Sequence, residues 1–297
     1  MKVLTSWSRR RLLALAAGAA LTAAGCHRAQ PASPVARASL SFSRTDVALG
    51  SPVDLHYHFV VAPDAHFTDD YRVMVHFVNG DGEMMWTDDH QPPIPTTSWK
   101  PGQVIDYDRL LFVPVYPYVG PATVQVGLYS AKTQQRLALA GQDVGQHAYK
   151  VASLNILPET ANVPLSYLEG WHTPETAPPP SRVQWRWTEK DAVLAFPNPK
   201  RDATFFLDLD DPSGAFTDAQ QVTVTLNSQP VASFALAPRA RLLQRIPLTA
   251  AQFGSDPGSR IQISVDKTFV PALIPAMNNH DSRELGVRIF QVFVLPK

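Results

Sequence analysis

Trp171, His172, Glu175, Trp185 and Trp187, with Asp281 and Arg283, are the residues whose types could do chemistry together. Aromatic rings stack on the apolar faces of sugar rings, while acids, amides and guanidinium groups hold hydroxyls, so a shallow carbohydrate site needs these types. Trp171 and His172 precede a Pro-rich stretch, residues 173–181, which predicts a stiff, exposed loop. Glu175 lies four residues beyond Trp171 and is placed to accept from hydroxyls. Trp171, His172 and Glu175 are therefore the candidate glycan-binding residues. Trp187 is expected in the core, and Asp281 with Arg283 as a buried ion pair locking a loop.

Other polar groupings lead to plainer expectations. His56 and His58 share the outward face of one strand, and His76 lies outward on the likely partner strand, where pairing would bring three imidazoles together. No carboxylate or Cys stands at a fixed spacing from them, so no metal site is assigned. Asp88-Asp89-His90 would suit glycosidase acids only at a separation that adjacent residues seldom reach, and turn capping is the expectation. Asp208, Asp210 and Asp211 lack the Gly and terminal Glu of a calcium loop and read as a strand-end turn. There is no G-x-S-x-G, no H-E-x-x-H, no phosphate loop and no dinucleotide fingerprint. Neither an enzyme nor a cofactor is expected.

The N-terminus carries Lys2, Arg9, Arg10 and Arg11, then an apolar stretch over residues 12–22, then Ala23-Ala24-Gly25-Cys26. This is the layout of a cleaved export signal, too short to span a bilayer. Residues 21–26 resemble the lipobox of bacterial lipoproteins, with Ala23 where Leu is usual. That resemblance implies acylation of Cys26, the chain's single Cys. Each buried methylene adds about 0.8 kcal/mol, so several acyl chains anchor firmly. Ser8-Arg9-Arg10-Arg11-Leu12-Leu13 also resembles a twin-arginine signal, and the export route stays open. His27, rather than Asp, follows the Cys, which by the same resemblance favours the outer membrane over the inner. Residues 1–25 are thus signal and 26–38 a flexible tether.

The body has to position whatever chemistry there is, and it reads as strands. The 297 residues are 45% hydrophobic, with 27 Pro, 15 Gly and a formal charge of zero. Pro at about twice its usual share argues against a helical bundle, and a neutral chain offers no clustered basic charge to nucleic acid. Val53, Leu55, Tyr57, Phe59 and Val61 alternate with Asp54, His56 and His58; residues 71–78 and 123–129 do the same. Asn79-Gly80-Asp81-Gly82 is a hairpin turn. In residues 104–113 the apolar phase slips between Tyr107 and Leu110, which predicts a bulge. Further strands are expected near 193–196, 204–209, 222–226, 231–236, 261–265 and 285–295, the last covered on both faces, with one short helical turn near 248–253. The expected fold is all-β, two tandem antiparallel β-sandwiches after the signal. An Ig-like one spans 39–157, a linker 158–165, and a second of jelly-roll or galactose-binding type 166–297.

Residues 75–82, 88–93, 99–102, Val113-Pro114 and 126–129 resemble an uncharacterised Ig-like module that recurs beside bacterial membrane glycosyltransferases. Residues 170–175, 186–188 and 281–287 are similar to a second β-sandwich module appended to glycosyltransferases and envelope-polysaccharide proteins. The resemblance implies fold and neighbourhood, with no catalytic residues to carry over. The expected function is that of an exported, lipid-anchored envelope protein, a non-catalytic binding or accessory module with a surface glycan as ligand. The alternatives are a scaffold whose partner is an envelope protein, and a polysaccharide-processing enzyme. Lipidation is testable directly. Cys26→Ser is expected to accumulate as uncleaved precursor, while the wild-type chain extracted from membranes has the mass of residues 26–297 plus a diacylglycerol and an acyl chain. An unmodified mass contradicts the assignment.

Overall fold

The alternation of residues 53–61 forms a strand whose inward side chains, Val53, Leu55, Tyr57, Phe59 and Val61, are all buried. The computed structural model describes residues 32–181 and 183–297; the signal segment, Cys26 and the tether up to residue 31 lie outside the described residues. The first block contains β1 (Ala36–Phe42), β2 (Asp46–Ala48), β3 (Pro52–Val61), β4 (Tyr71–Val78), β5 (Met84–Thr87), β6 (Val104–Phe112), β7 (Gly120–Ser130), β8 (Gln142–Asp143) and β9 (Tyr149–Leu157). One sheet has the order β1-β3-β6; the other runs β2-β9-β7-β4-β5, with β8 also on β9. The pairings are antiparallel except β2 with β9. Their inner faces meet in one core, where Tyr57 and Phe59 oppose Val75, Phe77, Val124 and Val126.

Three expectations are corrected here. Ala36, inside the stretch read as tether, is 2% exposed and pairs with Val61, so β1 begins before residue 39. There is no bulge in β6, whose register with β3 is unbroken from Val104 opposite Val60 to Phe112 opposite Pro52. The apolar phase changes because Arg109 takes an inward position, where Asp88 holds it, and the outward-facing Phe112 has a partner of its own, the ring of Phe206 in the second block, edge-on at 6.1 Å. Nor do three imidazoles converge: β3 and β4 lie in different sheets, so His76 is on the far face from His56 and His58. His56 and His58 instead meet Asp108 at 2.8 Å and Asp106 at 2.6 Å across the β3–β6 ladder.

The acids at 88 and 89 divide their work. Asp89 accepts from the Val75 amide at 2.8 Å. Asp88 grips Arg109 of β6 in two bonds of 2.9 and 2.8 Å. His90 Nδ1 donates to the Asp88 carbonyl at 2.7 Å, leaving Nε2 to accept from Tyr107 Oη at 2.8 Å. Burial pushes the Tyr57 and Tyr107 phenols up and holds His90 below its ordinary value. These groups tie a loop of one sheet to a strand of the other.

The second block contains β10 (Ser166–Tyr167), β11 (Glu175–Thr176), β12 (Gln184–Trp187), β13 (Asp191–Pro197), β14 (Ala203–Asp210), β15 (Gln220–Leu226), β16 (Gln229–Leu236), β17 (Arg241–Leu248), β18 (Gly258–Val265) and β19 (Arg288–Pro296). They form sheets of order β10-β13-β18-β15-β16 and β11-β12-β19-β14-β17 around a second core. As its composition predicts, β19 is central, and Val292, Phe293 and Val294 are buried in succession. The helical turn near 248–253 is α1 (Ala250–Phe253), closed by a reciprocal Thr249–Gln252 capping box. β17 was hidden by Pro247 and the exposed Leu243; it is an edge strand, where a missing donor is tolerated. Its Arg241 pairs with Asp208 at 2.6 Å, and Arg288 pairs with Asp210 at 2.7 Å. Two of the three acids weighed as a calcium loop are thereby bound to guanidinium groups.

The chain is all-β; the described residues form four sheets, and among them no sheet or buried core draws on both sides of residues 158–165. That stretch is not a free string. Residues Glu159–Ala161 form a 3-10 turn, and Asn162 Nδ2 donates to the Leu49 carbonyl at 2.7 Å. Arg245 reaches Asp54 at 2.6 Å across the same junction.

Candidate functional site

Two glycines and a threonine set the geometry around Trp171. Gly170 has φ +78, and a Cβ there would lie 1.7 Å from the Asp191 carbonyl oxygen. A Cβ on Gly286 would lie 2.4 Å from the Glu189 carbonyl oxygen and 2.5 Å from Thr188 Oγ1. Only glycine admits this approach. Gly286 N donates to the Thr188 carbonyl at 2.6 Å, Thr188 N to the Val287 carbonyl at 2.9 Å, and Val287 N to Thr188 Oγ1 at 3.0 Å. Glu189 N donates to the Gly170 carbonyl at 2.9 Å and His172 N to the Trp187 carbonyl at 3.0 Å. The segments around 170–175, 186–188 and 281–287, far apart in sequence, are thus one hydrogen-bonded knot with Thr188 fully buried at its centre.

The knot corrects the expected exposure of Trp171. After the turn at Gly170 the chain runs back along Thr188, so the indole is half-buried against the second core. Its Nε1 donates to the Val193 carbonyl at 2.8 Å, and its ring meets Tyr167 edge-on at 4.9 Å. Trp187 is core, packed edge-on against Phe269 at 5.8 Å, with Leu285 beside them. His172 and Glu175 are drawn the other way. His172 Nε2 donates to the Glu284 carbonyl at 2.8 Å. Glu175 is held by Arg283 Nη1 at 2.8 Å, and Arg283 also binds Asp281 through Nε at 3.0 Å and Nη2 at 2.6 Å. The Arg283 hydrogen bonds hold the Asp281 carboxyl below the usual range, with His172 adding to the effect, and Asp281 in turn raises Arg283. The Asp281–Arg283 pair locks its loop as expected, although it is half-buried rather than sealed.

Trp171 keeps different company. With Tyr167, Trp185, Arg186, Phe290 and Gln291 it lines an open hollow of about 280 Å³ at the β10–β12–β19 side of the second block. Arg186 lies over the Tyr167 ring at 4.4 Å, and Arg288 lies 4.9 Å from both the Trp185 and the Phe290 ring centres. Tyr167 is 40% exposed. Of the three expected ligand-holding residues, the structure leaves Trp171 at the hollow, while His172 and Glu175 are engaged in the knot. Tyr167 and Phe290 were missed. Tyr167 sits in a two-residue strand with no periodicity to mark it, and Phe290 reads as core in an apolar run. Among the described residues no group of three or more His, Cys, Asp and Glu is placed to hold a metal ion.

No family model matches the sequence, and no curated protein matches it. Neither module resemblance read from the sequence is therefore carried by a match. Similar solved structures include a family 35 carbohydrate-binding module from an environmental isolate, at 10% identity and a TM-score of 0.28, covering 45% of this chain and 93% of that one. Another is the carbohydrate-binding module CBM36 in complex with calcium and xylotriose, at 8% identity and 0.25, covering 44% and 98%. A third is the CBM22-1-CBM22-2 tandem domain of Paenibacillus barcinonensis Xyn10C, at 9% identity and 0.29, covering 88% and 91%. The likeness is distant and one of β-sandwich architecture; scores this low carry nothing about a ligand.

The knot generates a stability prediction. Trp171→Ala removes a half-buried ring and one of the two hydrogen bonds that the Val193 carbonyl accepts, the other coming from the Leu168 amide, so a loss of about 2 kcal/mol is expected in urea unfolding. Trp187→Ala, a core truncation, is expected to cost about 3–5 kcal/mol. An unchanged midpoint for Trp171→Ala contradicts the packing described here.

Proposed function

We propose that this chain is an exported, lipid-anchored protein of the cell envelope that binds a surface glycan without transforming it, through the hollow around Trp171. The observation that carries the reading is convergence: Tyr167 and Trp171, Trp185, and Phe290, from three separate stretches of chain, surround one open hollow with Gln291 and Arg186. Aromatic faces beside amide and guanidinium groups are what the CH faces and hydroxyls of a sugar call for. These aromatics are already packed, so little side-chain freedom is lost on binding. The placement of the protein rests on the N-terminal residues alone: the cationic and apolar segments, and Cys26 at the end of a lipobox-like sequence. His27 after that Cys supports the outer membrane.

The full chain, extracted in detergent and applied to an array of bacterial surface glycans, is expected to retain at least one of them. Trp185→Ala and Tyr167→Ala are each expected to reduce that signal about tenfold or more, as loss of a stacking partner does. Tyr167→Ala should keep a near wild-type melting temperature. Retention of no glycan, or retention unaffected by both substitutions, contradicts the proposal.

A further inference from the structure

The outer face of the six-stranded sheet carries a second hollow, remote in sequence from the one around Trp171. It encloses about 540 Å³, with Met74 and Asp89 beside His76, Tyr129, Gln134, Arg136, Gln146 and His147. The chain between β7 and β9 is laid across the sheet to form it. A Cβ on Gly127 of β7 would stand 2.8 Å from the His147 carbonyl oxygen, so only a glycine lets that chain lie so close to the strand.

Its backbone is costly where it meets the hollow. Ala148 N donates to the Gly145 carbonyl at 3.0 Å, and the two residues between, Gln146 and His147, have φ of 54 and 55. A two-residue turn of this kind favours Asn-Gly, because both central residues must take positive φ. Here two long side chains occupy those positions, and both line the hollow. Gln134, a third lining residue, has φ of 60. Non-glycine residues held in this region mark places where something other than local stability fixes the residue.

The electrostatics are equally specific. Arg136 makes no ion pair among the described residues, and its Nη1 donates to the Gln146 carbonyl at 3.1 Å. The hollow also carries one acid, Asp89, whose Oδ1 accepts from the Val75 amide and whose charge faces His76. His76 makes no side-chain hydrogen bond among the described residues; burial holds it below its ordinary value against the opposing charge of Asp89, with Arg136 adding to the effect of burial, and its neutral form both donates and accepts. A guanidinium outside any ion pair, two amide side chains, an imidazole and the Tyr129 ring match a polyhydroxylated molecule bearing one negative charge, with the Asp89 carboxylate left to accept from its hydroxyls.

We infer that this hollow is a second binding site, on the first sandwich, for a carboxylate-bearing saccharide such as a uronate residue, with the carboxylate on Arg136 and the hydroxyls on Gln134, Gln146 and His76. The inference is independent of the glycan site at Trp171. Titration calorimetry on the detergent-extracted full chain tests it with trimers of galacturonate and mannuronate, maltotriose as neutral control and acetate as bare anion. At least one uronate trimer is expected to bind at least about tenfold more tightly than maltotriose and than acetate. Arg136→Gln is expected to weaken that binding about tenfold or more, as loss of a charge-assisted pair does. Gln146→Asn/His147→Gly relieves the turn, so it is expected to raise the melting temperature while weakening binding. Trp185→Ala should leave uronate binding unchanged. The inference is overturned if neither uronate trimer binds, if maltotriose or acetate binds as tightly, if Arg136→Gln or the double substitution leaves uronate binding intact, or if Trp185→Ala abolishes it.

Discussion

The closeness of backbone at Gly170 and Gly286 is the constraint on which the second sandwich depends. Thr188 sits between them and exchanges hydrogen bonds with Gly286 and Val287 through both its main chain and its hydroxyl. A side chain at either glycine would need the space of a neighbouring carbonyl. This contact decides which way the adjacent side chains are used. Trp171 is turned toward Tyr167 and the hollow, while His172 joins the loop held by Asp281 and Arg283. The stretches 170–175, 186–188 and 281–287 are the three parts of this knot, so their composition follows from packing and hydrogen bonding before any question of ligand.

A second theme is the pairing of guanidinium with carboxylate across strands. Arg109 with Asp88, Arg241 with Asp208 and Arg288 with Asp210 each make two-pronged contacts, and Arg241 and Arg288 also lie over aromatic rings. The two pairs on β14 bind it to its neighbouring strands, the pair of Asp88 with Arg109 ties a loop of one sheet to a strand of the other, and all leave little free charge on the faces they cover. Against that background Arg136 and Arg186 differ. Each donates to a backbone carbonyl and each lines a hollow, one on each sandwich.

Period-2 patterns in the sequence were enough to locate most strands and their inward faces, because a half-buried strand needs that alternation whatever its partners. Val53 to Val61 and Val124 to Leu128 are examples. The partners themselves were not legible. The expectation that His76 would stand beside His56 assumed that consecutive strands pair, whereas β3 and β4 are split between facing sheets. The phase slip before Leu110 came not from a bulge but from Arg109 on the inward face, held by Asp88, and from Phe112 on the outward face, set against Phe206 of the other sandwich. At the site, the sequence marked Trp171 and Trp185 by residue type. It misjudged the exposure of Trp171, because the Pro-rich stretch suggested a free loop and nothing in it announced the positive φ of Gly170 or the contact with Thr188. Glu175 looked available for the same reason, since Arg283 is more than a hundred residues away.

The central claim is that the hollow formed by Tyr167, Trp171 and Trp185 receives a sugar. It is tested most directly by watching the indole N–H groups in nitrogen-15 spectra of the full chain during titration with a glycan that the protein retains. The account predicts that the Trp185 and Trp171 signals shift and saturate with bound ligand. Trp86 and Trp99, which belong to the first core, should stay in place. Saturating binding that leaves Trp185 and Trp171 unmoved, or that shifts Trp86 and Trp99 instead, contradicts it.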